Sequence, residues 1–330
     1  MTNPHFYQEL PRTEHGSPEW LEARLAGIGS SEVSALLGLV DWDSPYTIWL
    51  RKTRRAPADS GVDTESMFWG RALEPVIRQV ACERLGLTVE LPGTLQSIER
   101  PHMLYSPDGF LSDGGLLETK NTAWFMAGKW DGQIPDHAEI QLHHGMYVTG
   151  ATHAYAAGLI GGNRLEIARI ERNEKLIELL VPACDRFWRD FVLADVEPPI
   201  TGTSADRGAV DMLHPFVGGD LQVTRQQISG LHTEYRAAQE AEKAAKKRKD
   251  AAGNKIRALM DGHSRLLVGD DVWVSTKGGP FRSTQFRDDE PELFAEYSTR
   301  SALDTHELRE DHPDVYAKYR STSLDLKEVA

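Results

Sequence analysis

Two cysteines in 330 residues are too few for a disulfide scaffold. They are also too few for an iron–sulfur cluster, which takes about four thiolates. Cys82 and Cys184 lie in apolar, helix-like surroundings and fit a reducing compartment. No apolar run approaches the roughly 20 residues that a membrane-spanning helix needs. The opening "MTNPHFYQELPRTEHG" has neither the basic segment nor the apolar stretch of a secretory signal. The expectation is a cytoplasmic protein without membrane attachment. Positive charge is scarce as well: 37 Lys and Arg face 50 Asp and Glu, for a net charge of −13. That balance argues against a general nucleic-acid coat, whose affinity comes from Lys and Arg. It leaves room for a nucleic-acid enzyme, which gathers acids where metal ions bind.

What is present reads as alternating helices and strands. Ser17-Pro18-Glu19 joins a capping serine, a proline for the first helical position and a first-turn acid, predicting a helix through Trp20, Leu21 and Leu25 that stops near Gly27. "GSSEVSALLG" reads as a second helix with a serine cap. "SPYTIWLRKTRR" reads as a third, ending in the basic run Arg51 to Arg55, either a duplex track or a solvated helix end. "MFWGRALEPVIRQVACERLG" places Trp69, Leu73, Ile77 and Val80 near helical period, with Pro75 expected to begin or bend the helix. Strands follow in "LTVELPG", "GTLQSIE" and "HMLYSPDGFLSDGGLLETK", then a helix in "PDHAEIQLHHGMYVTG". A strand pair in "HAYAAGLIGGNRLEIARIER" and a strong helix in "NEKLIELLVPACDRFWRDFVL" complete a mixed α/β domain over 1–200.

Residues 201–222 read as a linker and 223–263 as one long helix or a helical hairpin, marginally a coiled coil. Residues 264–330 form an accessory region: a β-hairpin turning at Gly269-Asp270, then a two-copy repeat at a 22-residue offset. The repeat pairs Phe286 with Leu308, Pro291 with Pro313, Leu293 with Val315 and Tyr297 with Tyr319. Each copy reads as a strand-like end, an acidic cap before proline and a short helix.

The chemistry concentrates in "SPDGFLSDGGLLETK". With a turn at Asp113-Gly114, Asp108 falls opposite Thr119 or Lys120, and alternation puts Glu118 and Lys120 on one face. The bland reading is a hairpin with solvated charges. The sharp one is a site for a hard cation, because charges on an interior strand are costly unless paired or metal-bound. Glu74, on the stripe of Gly70, Ile77 and Ala81, either delivers a third carboxylate or is only an acid favoured near a helix start. Gln141 could orient water or a phosphate, or simply be a surface amide. His143 and His144 point to different helix faces and read as ordinary helix residues. Ser30 and Ser31 at a helix start offer an anion site to which Arg24, one turn upstream, could add a bidentate grip; simple capping accounts for one serine but does not call for the arginine.

In order along the chain, "RLAGIGSSEV", "WGRALEP", "SPDGFLSDGGLLETK", "IQLHHGMYVTG" and "IERNEKLIELLVP" resemble the motifs of the phage lambda-type exonucleases, the YqaJ-like viral recombinase family of the PD-(D/E)xK nucleases. The resemblance covers roughly residues 15–195. It implies a restriction-endonuclease-like core, a central mixed sheet flanked by helices, with a helical and small α/β C-terminal extension. It implies a nuclease dependent on Mg²⁺, or Mn²⁺ in its place, as one or two ions. Such an enzyme degrades linear double-stranded DNA from 5′ ends to mononucleotides, leaving 3′ overhangs for a single-strand annealing protein in phage-type recombination within a bacterial host. A ring-shaped homotrimer threaded by DNA is also implied. Carried over by motif, Asp108, Glu118 and the Thr119 carbonyl resemble the metal ligands, with Glu74 joining directly or through water. Lys120 resembles the catalytic lysine and Gln141 the helix glutamine, while Arg24 and Ser31, with Ser30, resemble the grip on a 5′ phosphate. Gly29 departs from relatives that have a hydroxyl residue there. Rival expectations are an endonuclease or single-strand exonuclease of the same superfamily, and a non-catalytic DNA-end-binding scaffold, against which the intact Asp108, Glu118 and Lys120 speak.

Overall fold

The computed structural model describes residues 6–13, 16–58, 64–215, 219–298 and 303–326, with the backbone alone for 320–326. The chain divides into two units between residues 218 and 219.

In the first unit β1 (Tyr7–Glu9) precedes α1 (Pro18–Leu25), where the Ser17 hydroxyl accepts the Trp20 N–H at 3.1 Å, as the capping signal predicts. β2 (Ile28–Gly29) and α2 (Ser30–Leu36) follow. Here the cap is Gly29 rather than a serine, and the Glu32 carboxylate accepts the Gly29 N–H at 2.8 Å. α3 (Pro45–Lys52) is capped by Ser44. α4 (Glu65–Leu85) contains Pro75 in its interior rather than beginning there, with the proline on its exposed side while Ile77 and Ala81 stay packed. The strands β3 (Val89–Glu90), β4 (Leu95–Ser97), β5 (Met103–Tyr105), β6 (Gly109–Leu111) and β7 (Leu116–Thr122) come next. A 3-10 segment at Trp124–Trp130 leads to α5 (Asp136–Thr149), β8 (His153–Ile160), β9 (Arg164–Glu171) and α6 (Glu174–Phe187). Within residues 201–222, expected as linker, α7 (Ser204–Leu213) is capped by Thr203 and packs on α3, where the Ser44 hydroxyl donates to the buried Asp206.

A five-stranded sheet runs in the order β3-β6-β7-β8-β9. All its neighbours are antiparallel except β7 and β8, which are parallel and therefore need the crossover that α5 supplies. Alternation along β7 sends Leu116 into the cluster with α5 residues and Leu117 into the one with Ile77 and Ala81 of α4. The helices thus cover opposite faces of one strand. A smaller sheet has the order β1-β4-β5-β2. The class expected from sequence, mixed α/β with helices flanking mixed sheets, is the one observed.

The second unit opens with α8 (Arg225–Met260), a single 36-residue helix rather than a hairpin. β10 (Arg265–Val268) and β11 (Asp271–Phe281) turn at Gly269, φ +62°, and Asp270. The repeat is helical in both halves of each copy: α9 (Ser283–Asp289) and α10 (Pro291–Glu296), then α11 (Thr305–Asp311) and α12 (Pro313–Tyr319). The strand-like ends expected here are α9 and α11. Phe286, Tyr297, Leu308 and Tyr319 form their shared buried core, two 22-residue pairs facing one another. β12 (Arg320–Leu326) closes a sheet of order β10-β11-β12. No helix among the described residues is long and apolar enough to cross a membrane.

Candidate active site

The β6–β7 hairpin sets the first distances. Gly109 pairs with Leu117 and Phe110 with Leu116, and the Leu111 N–H donates to the Gly115 carbonyl at 2.8 Å. The loop is therefore Ser112–Gly114, three residues rather than the expected two, with Gly114 at φ +87°. The ladder register moves by one, yet Asp108, one residue before β6, still turns its carboxylate to Thr119, one of the two residues expected opposite it. Asp113 stiffens the loop by accepting the Gly115 N–H at 3.0 Å and the Tyr155 hydroxyl at 2.9 Å.

Asp108 Oδ2 accepts both the N–H and the hydroxyl of Thr119, each at 2.7 Å. Glu118, buried at 2% exposure, accepts the Lys120 ammonium on Oε1 at 2.7 Å, so these two side chains share a face as alternation predicts. Lys120 also donates to Gln141 Oε1 at 2.9 Å, which brings the helix glutamine of α5 to the strand. Burial disfavours the Lys120 ammonium, but Glu118, Asp108 and Glu74 outweigh it and raise its pKa. Burial raises the Asp108 pKa to about 7, with Glu118 and then Glu74 adding repulsion that the Thr119 hydrogen bonds only partly offset.

Glu74 extends from α4 and pairs with Arg78 at 2.7 Å; Arg78 in turn donates to the Asp108 carbonyl at 3.1 Å. Among the described residues no three His, Cys, Asp or Glu side chains form a ready metal cage. The fit to a cation rests on another atom. Glu118 Oε2 is buried and accepts no hydrogen bond, a costly state for a carboxylate oxygen. With the Asp108 carboxyl repelled beside it, this oxygen is left for a ligand. The residues that could hold a hard cation are Asp108, Glu118 and the Thr119 carbonyl, while Glu74, paired with Arg78, acts on Asp108 electrostatically.

The expected phosphate grip is differently furnished. Arg24 closes α1 with its guanidinium 4.7 Å over the Trp20 ring, Ser30 is buried, and Ser31 is exposed at the start of α2. Next to Ser31 and under the electrostatic influence of Arg24 stands Glu32, which reasoning from sequence missed. It takes the Lys52 ammonium at 2.7 Å and Arg51 at 3.6 Å, while Lys52 also donates to the Arg24 carbonyl at 2.8 Å. The basic run is matched to acids: Arg51 pairs with Asp43 in a half-buried setting, while Arg54 with Glu22 and Arg55 with Asp195 are exposed pairs, as a solvated helix end would have them. Glu32 lies three residues after the cap Gly29, the spacing of a capping box, and that signal was available. Arg78, one turn after Glu74, was available likewise. Tyr105 was not: it is fully buried, its hydroxyl has no hydrogen-bond partner, and Glu118 and Asp108 act on it electrostatically. His143 Nδ1 meets the Glu139 carbonyl at 2.9 Å and His144 Nε2 the Leu104 carbonyl at 3.0 Å, on different sides of α5.

Residues 19–152 match the YqaJ-like viral recombinase domain family, the one its motifs resemble. The Uncharacterized protein YqaJ of Bacillus subtilis (strain 168) is 33% identical over 210 residues, 62% of this chain and 66% of that protein. The chain thus spans just under two thirds of that relative's length. Among solved structures, the alkaline exonuclease LHK-Exo from Laribacter hongkongensis aligns over 59% of this chain and 100% of its own, at 20% identity and TM-score 0.47. A phage-related exonuclease from Haemophilus somnus 129PT aligns over 51% of this chain and 96% of its own, at 13% identity and TM-score 0.39.

Proposed function

We propose that the chain is a Mg²⁺-dependent 5′→3′ exonuclease that degrades linear double-stranded DNA to mononucleotides and leaves 3′ overhangs for recombination. The observation that carries this reading is the convergence of Asp108, Glu118, Lys120 and Gln141 on one spot, with Glu118 Oε2 buried and unpartnered. Asp108, Glu118 and the Thr119 carbonyl would hold the ion, with Glu74 directly or through water. A hard divalent cation there supplies a bound water of lowered pKa and polarises a phosphoryl oxygen. Lys120, kept charged by Glu118 and aimed by Gln141, offsets negative charge that develops on the scissile phosphate. The oxygen of water bonds to phosphorus, the P–O3′ bond breaks, and the departing oxygen takes up a proton. Arg24, with Ser30 and Ser31, would hold the 5′ phosphate so that the next linkage lies at the carboxylates. The family resemblance further supports a DNA-threaded homotrimer and a single-strand annealing protein as partner.

The test is a linear duplex labelled separately at its 5′ and 3′ ends, incubated with Mg²⁺ or with EDTA, beside a closed circle and the Lys120→Ala variant. Immediate release of 5′ label as mononucleotide, Mg²⁺-dependent and slowed by about 10²–10³-fold in the variant, is the expected result. Cut circles would move the reading to an endonuclease. Tight end-binding without cleavage would move it to a scaffold.

A further inference from the structure

The densest positive charge in the molecule lies on α8. Lys243 to Arg257 contains seven Lys and Arg and one acid, Asp250, in a chain of net charge −13. All seven cations are exposed, and the ion pairs found among the described residues include none of them. The basic run of α3 is the opposite case, with Arg51, Lys52, Arg54 and Arg55 each matched to an acid within the first unit. At about 3.6 residues per turn, Lys243, Lys246, Lys247 and Arg257 share one face of α8 with Asp250 and Asn254 among them, while Arg248, Lys249 and Lys255 lie round its sides. Ala238, Ala245, Ala252, Ile256 and Leu259 fall on the other side. A rise of about 1.5 Å per residue stretches the basic face over roughly 20 Å. It holds no apolar or aromatic side chain, and its four cations outnumber the single acid Asp250, so it offers a partner net positive charge. A long, regularly spaced anionic polymer is what charge alone recognises.

We propose that this face of α8 binds the phosphate backbone of double-stranded DNA without regard to sequence. The choice of DNA as the polymer rests on the nuclease reading above. Flexible lysines dominate the face, which suits tracking along a backbone better than bidentate gripping of one group. The site would serve to keep the protein on its substrate while the catalytic residues work at an end.

The experiment uses the full chain in EDTA, so that nothing is cut, and measures binding to a closed circular duplex, which has no ends to engage. The triple variant Lys243→Gln, Lys246→Gln and Lys247→Gln is compared with the wild type and with Lys→Arg at the same positions. Glutamine is as good a helix former as lysine, and circular dichroism checks that the helix persists. The glutamine variant should bind more weakly, with the slope of log K against log salt reduced by roughly 2 to 3, about 0.9 per lost contact. The arginine variant should match the wild type. Unchanged affinity and slope in the glutamine variant would overturn the proposal. Unchanged affinity with an altered molar mass would overturn it too, assigning the helix to pairing between copies. A wild type that cuts no DNA, alongside weakened binding in the glutamine variant, would defeat the nuclease reading and leave this one standing.

Discussion

Two buried glutamates in this molecule each hold a lysine ammonium at 2.7 Å, Glu32 from Lys52 and Glu118 from Lys120, yet their surroundings differ at every other point. Glu32 has further cations and a backbone N–H on its oxygens. Burial works against its charge, but Lys52, Arg51 and Arg24 prevail and lower its pKa to about 2. Lys52 is lowered as well, because burial with help from Arg24 and Arg51 exceeds the pull of Glu32. Glu118 has one oxygen engaged and one bare, with an acid for a neighbour that is itself raised to about 7. The first glutamate is saturated by its own chain. The second keeps capacity for a ligand, and a buried ion pair becomes evidence of function only once its unsatisfied atoms are counted.

The comparison breaks if exchanging the two residues' roles is harmless, and the largest effect expected is at Glu118. Glu118→Ala should abolish cleavage while DNA binding persists, and Lys120→Ala should slow cleavage by about 10²–10³-fold; a radiolabel-release assay on purified variants checks both. Glu32→Gln should leave Lys52 buried without its counter-charge and cost about 3–5 kcal/mol in urea unfolding at neutral pH.

The pH dependence sharpens the contrast, since the two acids act with opposite signs. Glu32 is lowered, so its stabilisation is complete above the ordinary value of 4.5 and fades as pH falls toward about 2. The melting difference between wild type and Glu32→Gln should shrink over that window. Asp108 is raised, so the folded state holds its proton more tightly than the unfolded chain. Its penalty is absent below 3.8, grows as pH rises, and is complete above about 7. In EDTA, Asp108→Asn should therefore melt higher than the wild type above pH 7 and alike near pH 4. Added Mg²⁺ should raise the wild-type melting temperature more at high pH than at low. The smallest effect is expected at Arg24: Arg24→Ala should erase an approximately tenfold preference for 5′-phosphorylated over 5′-hydroxyl ends, leaving cleavage of the latter unchanged. Competition between the two ends measures it.

What sequence makes legible here is local. Glu118 and Lys120 share a face because strand alternation is fixed by two residues, and Gln141 lies on a helix whose apolar period is plain. The hairpin register was out by one because a loop of two and a loop of three both accommodate Gly114, and only the Leu111–Gly115 hydrogen bond decides. Capping-box spacing could have flagged Glu32, but not its pairing with Lys52, which lies twenty positions away on another helix. Helices α9 and α11 are each seven residues long, too short to stand by period or propensity, and owe their form to Phe286 and Leu308 in the shared core. α7 was hidden by the proline and threonine around it, although Thr203 marks its start.

One position on α5 bears on how closely the molecule can be tuned. Gly145 follows Gln141 by one helical turn, and a Cβ there would lie 2.5 Å from the Tyr105 ring. The ring belongs to β5, is wholly enclosed, and cannot swing aside. The helix is thus seated against a strand by the width of a missing methyl, and the reach of Gln141 to Lys120 inherits that clearance. An atom that the chain never makes acts as the gauge for a contact a full turn away.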